Sequence, residues 1–172
     1  RRGDGRPMDA VDEILKQWNH HRPDLDVEAM GPIGRLGRIV HYLTREMDKN
    51  LAQFGLTAAS FDVLAPLRRS GPPYRLSPGD LLATMMVTSG TLTNRIDQLE
   101  KAGLVVRLPN PDDRRSLLIS LTEAGFATID AAVTAHVETQ KRLISILSPE
   151  EQAALDPLLR SFLAGIAARE LG

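Results

Sequence analysis

The 172-residue sequence predicts a mainly α-helical fold carrying one small β-hairpin. Apolar residues recur at helical spacing through most of the chain, and only 4% of residues are aromatic. The two aliphatic runs that break the pattern, Leu104–Leu108 and Ser116–Leu121, are neighbours separated by turn residues. The length suits a single domain with a substantial core, so residues 1–172 are read as one domain.

Arg1–Asp9 offers nothing to bury and is expected to be disordered. Val11, Ile14, Leu15 and Trp18 fall at i, i+3, i+4, i+7 and define a first helix over residues 9–21, ended by Pro23. Gly31-Pro32 leads into a long helix over 33–54, with Ile33, Leu36, Leu43, Met47 and Leu51 on its stripe and Gly55 as terminator. A third helix begins at Thr57 and stops at Gly71-Pro72-Pro73, and Pro66 inside it predicts a kink or an early end.

Next comes a short helix over Pro78–Met85, with Ser77 as N-cap and Pro78 at the first helical position. After a tight turn, Thr88-Ser89-Gly90 offers the cap of a second helix that ends before Gly103. On it Leu92, Ile96 and Leu99 form the inward stripe. Ser89, Gly90, Thr91, Thr93, Asn94 and Gln98 are small or hydrogen-bonding residues away from that stripe, the chemistry a major-groove recognition helix needs. The two aliphatic runs follow, joined by the turn-rich segment Pro109–Arg115, whose Arg114 and Arg115 suit the narrow, negative minor groove. A helix-turn-helix followed by such a ribbon is a winged helix-turn-helix, placed at residues 57–121. Thr122 caps a long helix to about Leu147, and Ser148-Pro149-Glu150-Glu151 is a capping box for a last helix with a wide apolar face.

Charge supports a nucleic-acid face. Between Arg68 and Arg115 there are eight Lys/Arg against five Asp/Glu, whereas from Ser116 onward there are four against seven. The absence of cysteine excludes disulfides and thiolate metal sites. His20, His21, His41 and His136 show no metal-ligand spacing, and adjacent His20 and His21 are expected on different helix faces, so neither metal nor cofactor is implied. No apolar run approaches a membrane span and no signal peptide is visible, which predicts a cytoplasmic protein without a membrane partner.

Asp113, Arg115, Ile119, Leu121-Thr122 and Gly125 match the wing pattern D-x-R-x-x-x-V-x-L-T-x-x-G, with Ile for Val, and so the chain resembles the MarR family of bacterial regulators. The resemblance spans about Ile33 to Leu171. It implies a homodimer built from the helices at 33–54 and 122–171, and two recognition helices presented to successive major grooves of a pseudo-palindromic promoter operator in double-stranded DNA. The missing cysteine removes the thiol-oxidation sensing of one branch of that family.

The extra first helix is similar to the urate-responsive, PecS-type branch. The ligand site of that branch corresponds here to Trp18, Asp62, Arg95 and Arg107. Arg95 also stands out without the resemblance. It lies at the edge of the buried stripe, far from Asn94, so its guanidinium is expected to point back toward the protein and to want a carboxylate such as Asp62. The expected ligand is a small anion, first urate or another purine, then a citrate-like carboxylate, then a phenolic acid. It would compete with Asp62 for Arg95, shift the recognition helix and release DNA. An enzyme is not expected, because no nucleophile–base pair or carboxylate cluster is placed to work. A winged helix used for protein contacts is the remaining rival. Target genes, operator sequence and the choice between repressor and activator are not legible in the chain.

Overall fold

The computed structural model describes residues 5–170. The chain forms two compact units, Arg1–Glu46 and Met47–Gly172. Among the described residues no helix is long and apolar enough to cross a membrane.

In the N-terminal unit, α1 (Ala10–His21) is followed by α2 (Met30–Ala52), which continues beyond the unit's end. Asp9 is the N-cap of α1. Its carboxylate accepts from the Asp12 N–H at 2.9 Å, and Asp12 accepts from the Asp9 N–H at 2.9 Å. The same two carboxylates take the Arg35 guanidinium at 2.8 and 2.6 Å. Asp9 is therefore fixed, contrary to the expectation of disorder there; residues 1–4 lie outside the described residues. Val11 is buried and packs over Gly34, where an added Cβ would sit 3.5 Å from its Cγ1. The rest of the α1 stripe is more open, with Ile14 and Trp18 exposed. His20 and His21 bring their ring centroids to 4.7 Å edge-on, closer than their separation by helix face predicts, because rings this broad meet across one helical step.

In the C-terminal unit, α3 (Ala58–Arg69) opens with a Thr57–Ser60 capping box. It does not end at Pro66. One helical hydrogen bond is lost there, and the apolar packing of Val63, Leu64 and Leu67 carries the helix on to Arg69. After β1 (Arg75–Leu76), Ser77 accepts from the Asp80 N–H and caps α4 (Pro78–Ala83). Thr88 caps α5 (Ser89–Lys101), accepting from the Thr91 N–H at 3.2 Å, and Gly103, at φ +76°, turns the chain out of that helix.

β2 (Val105–Asn110) and β3 (Asp113–Leu121) form the wing. The sheet has three strands, not two. β1 pairs with β3 on the side away from β2, Arg75 opposite Ser120 and Leu76 opposite Ile119. A two-residue strand is too short to leave an alternation in the sequence. The hairpin tip is also tighter than expected: Asn110 pairs with Asp113, so only Pro111 and Asp112 turn, and Arg114 and Arg115 stand on β3 itself. α6 (Glu123–Ile144) and α7 (Pro149–Glu170) complete the chain, α7 starting at a reciprocal Ser148–Glu151 box.

One core holds the winged region together. Leu64 and Leu67 of α3, Leu81 of α4, Leu92, Ile96 and Leu99 of α5, Val105 and Ile119 of the sheet, and Ile129 of α6 are all buried in it. Each large apolar side chain contributes about 1.5–3 kcal/mol by leaving water. The three on α5 therefore fix which side of that helix faces outward. The junction from sheet to α6 explains the end of the wing motif. The Thr122 hydroxyl donates to the Gly103 carbonyl at 2.6 Å and accepts from the Gly125 N–H at 3.0 Å. A Cβ at Gly125 would sit 1.9 Å from the Leu104 carbonyl oxygen, so only glycine fits. By contrast α7 buries no residue, and Leu158, Leu159, Phe162, Leu163 and Ile166 remain exposed along it.

Candidate nucleic-acid interface and adjoining cavity

With Leu92, Ile96 and Leu99 turned inward, Ser89, Gly90, Thr91, Thr93, Asn94 and Gln98 are all exposed on α5. They are not equivalent. The Thr91 hydroxyl accepts from the Thr88 hydroxyl at 3.0 Å, and the Thr93 hydroxyl donates to the Ser89 carbonyl at 3.0 Å, so both serve the helix start. Nothing lies within 4 Å of an added Cβ at Gly90, so that position is open on the protein side. Asn94 and Gln98 are one turn apart on the outer face, and both are exposed. Arg114 and Arg115 are exposed next to the wing tip. As neighbours on a strand they project to opposite faces, so the wing presents one guanidinium to each side.

The wing is tied to the recognition helix by Arg107 of β2. Its Nη2 donates to Asp97 at 2.6 Å and its Nη1 to Glu100 at 2.8 Å, while its backbone N–H donates to the second oxygen of Glu100 at 3.1 Å. The hydrogen bond to Asp97, and then that to Glu100, raises the Arg107 pKa above its ordinary value against the cost of burial. Asp97 and Glu100 lie on the flank of α5 away from Arg95, since two and five residues along a helix are net rotations of about 200° and about 140°.

On the other flank, α3, the α4–α5 turn and α5 line an open cavity of about 430 Å³. Phe61, Ala65, Pro66, Met85, Met86 and Val87 give it apolar walls, and Asp62, Arg69, Thr84 and Arg95 give it polar ones. Arg95 approaches Asp62 to 4.0 Å, with side chains 22% and 60% exposed. A pair so open to water contributes at most a fraction of a kcal/mol and is easily exchanged for another anion. Behind the cavity wall, the His136 ring stacks on Phe61 at 4.6 Å. Burial pushes the His136 pKa down by disfavouring the charged imidazolium.

Residues 56–117 match the MarR family. Over 149 residues the chain is 45% identical to the HTH-type transcriptional regulator PecS of Dickeya dadantii, an alignment covering 87% of this chain and 90% of that protein. The chain belongs to the MarR family. It is a DNA-binding transcriptional regulator, as its relatives are, and not an enzyme. Its fold matches a cysteine-to-serine mutant of Escherichia coli MarR solved with operator DNA, at a TM-score of 0.69 and 31% identity over 80% of this chain and 97% of that one. It is also similar to Bordetella bronchiseptica BpsR, whose DNA binding is regulated by 6-hydroxynicotinic acid, at a TM-score of 0.67 and 27% identity over 80% of this chain and 95% of that one.

Of the four ligand residues expected in this MarR-family chain, the structure brings Asp62 and Arg95 together and engages Arg107 with Asp97 and Glu100. Trp18 belongs to the N-terminal unit, on α1, with 41% of its surface exposed. Arg69 was not anticipated. It could have been found, because Asp62, Ala65, Pro66 and Arg69 fall at i, i+3, i+4, i+7 on one side of α3.

Proposed function

We propose that this regulator is a cytoplasmic homodimer that represses a promoter through a pseudo-palindromic operator and leaves it when a small planar anion enters the α3–α5 cavity. The observation that carries this reading is the position of Arg95. It sits on the recognition helix, yet turns inward to meet Asp62 across a cavity of about 430 Å³, within the size range of small-molecule sites. An anion that takes Arg95 from Asp62 acts directly on the helix that reads DNA. The ligand needs a differential affinity of only a few kcal/mol for the released state to empty an operator. Asn94 and Gln98 are the proposed base readers, with Ser89, Gly90, Thr91 and Thr93 approaching the backbone and Arg114 and Arg115 the groove beside the wing. The exposed apolar row on α7 is the proposed dimer surface.

Urate or another purine anion is the first candidate ligand. A monocyclic hydroxy-acid is the second, favoured by the likeness to BpsR. The test is fluorescence anisotropy of a labelled promoter duplex titrated with urate, citrate and salicylate in turn, on wild type and on Asp62→Asn. Release of wild type by one of these anions, with the response lost in Asp62→Asn and operator binding retained, supports the site. An identical response in Asp62→Asn refutes it.

A further inference from the structure

The cavity contains a charged group with no role so far, Arg69 at the end of α3. Asp62, Ala65, Pro66 and Arg69 form one stripe along α3, and all four line the cavity. Seven residues of helix place the Arg69 backbone about 10 Å beyond that of Asp62. Asp62 and Arg69 therefore reach the cavity from positions two helical turns apart on α3. Among the described residues Arg69 has no carboxylate partner. Its neighbour Arg68, by contrast, is bonded to Asp130 at 2.9 Å and lies over the rings of Tyr74 and Phe126.

The chemistry of the walls defines what fits. Two guanidiniums against one carboxylate leave the cavity one positive charge in excess, which favours a monoanion. Asp62 supplies a carboxylate acceptor. That acceptor calls for an N–H group on the ligand. Phe61 and the Met85-Met86 pair offer flat, adaptable apolar surface for a ring. Met86 is 95% exposed on the helix-turn-helix turn, a position from which its thioether can fold over an occupant.

Resting on the anion-sensing reading above, we infer that Arg69 is the second cationic arm of the cavity. It holds the far edge of a planar, N–H-bearing, two-ring monoanion whose near edge meets Asp62 and Arg95. Arg69 thus sets the length and charge of the ligand, while Arg95 couples its arrival to the recognition helix.

Isothermal calorimetry on the full-length protein without DNA tests this, with urate as probe and wild type, Arg69→Gln and Arg69→Lys compared. Circular dichroism shows that each variant is folded. The expected result is a loss of about tenfold or more in urate affinity for Arg69→Gln, with most of it recovered in Arg69→Lys, which keeps the charge. Wild-type affinity in Arg69→Gln overturns the role of Arg69 and leaves the Asp62–Arg95 site standing. Equal losses in both variants show that packing rather than charge is at stake, and also overturn it. Wild type that binds no urate overturns the urate reading on which the inference rests.

Discussion

Replacing Arg107 with Met, which keeps much of its bulk, removes every side-chain bond between the wing and the recognition helix made through that residue. Two side-chain hydrogen bonds to carboxylates, at 2.6 and 2.8 Å, are lost, while the backbone N–H bond to Glu100 at 3.1 Å remains. The Arg107 side chain is only 24% exposed, but Asp97 and Glu100 are 49% and 41% exposed, so water screens much of the attraction. Charge-assisted bonds of about 1.5–3 kcal/mol when buried fall here to a total of about 1–2 kcal/mol. For a chain of this size that lowers Tm by roughly 2–8 °C. Because the wing must then be ordered on DNA, a cost of about 1 kcal/mol per wing passes into binding, and two wings on one operator weaken the complex about thirtyfold. The assay is a double-mutant cycle of Arg107→Met with Glu100→Gln, read by thermal melting at fixed protein concentration and by operator anisotropy without ligand. A coupling of about 0.5–1 kcal/mol is expected. Zero coupling together with unchanged operator affinity would refute the strut. Loss of ligand response with stability and operator affinity intact would show instead that Arg107 holds ligand.

Three further outcomes follow from particular contacts. Gly125→Ala drives a methyl into the Leu104 carbonyl, 1.9 Å from its oxygen, and should cost about 3 kcal/mol or more by chemical denaturation, whereas Gly37→Ala, with open space at its Cβ, should be neutral or stabilising. Arg115→Ala should reduce the slope of log affinity against log salt by roughly 2 for two wings on one operator; an unchanged slope would favour a winged helix that contacts protein rather than DNA. Hydrogen bonding from Arg35 holds the Asp9 carboxyl down at about 2, below its ordinary 3.8, so this contact stabilises α1 fully above about 3.8 and is lost as pH falls toward about 2. An NMR titration should find the Asp9 midpoint near the lower value and its return upward in Arg35→Gln.

The sequence by itself determined the elements and their outward faces. Caps at Ser77, Thr88, Thr122 and Ser148 are local hydrogen bonds between residues three apart, and the Leu92–Ile96–Leu99 stripe follows from the helical repeat alone. Both are written in neighbouring residues, so both were legible. Tertiary structure decided what those faces meet. Periodicity says that Arg95 flanks a buried stripe, but only the packing of α3 against α5 sets its 4.0 Å approach to Asp62 and forms the cavity that both line. The same holds for Arg107, whose carboxylate partners on α5 were chosen by how the hairpin folds back, and for Arg69, whose place in the cavity depends on where the α4–α5 turn lies. β1 and the physical reason for glycine at position 125 were hidden for a related reason: each exists only because a distant strand or carbonyl arrives beside it. A repeat along the chain records which side of an element leaves water, while the identity of the partner is a property of three-dimensional packing.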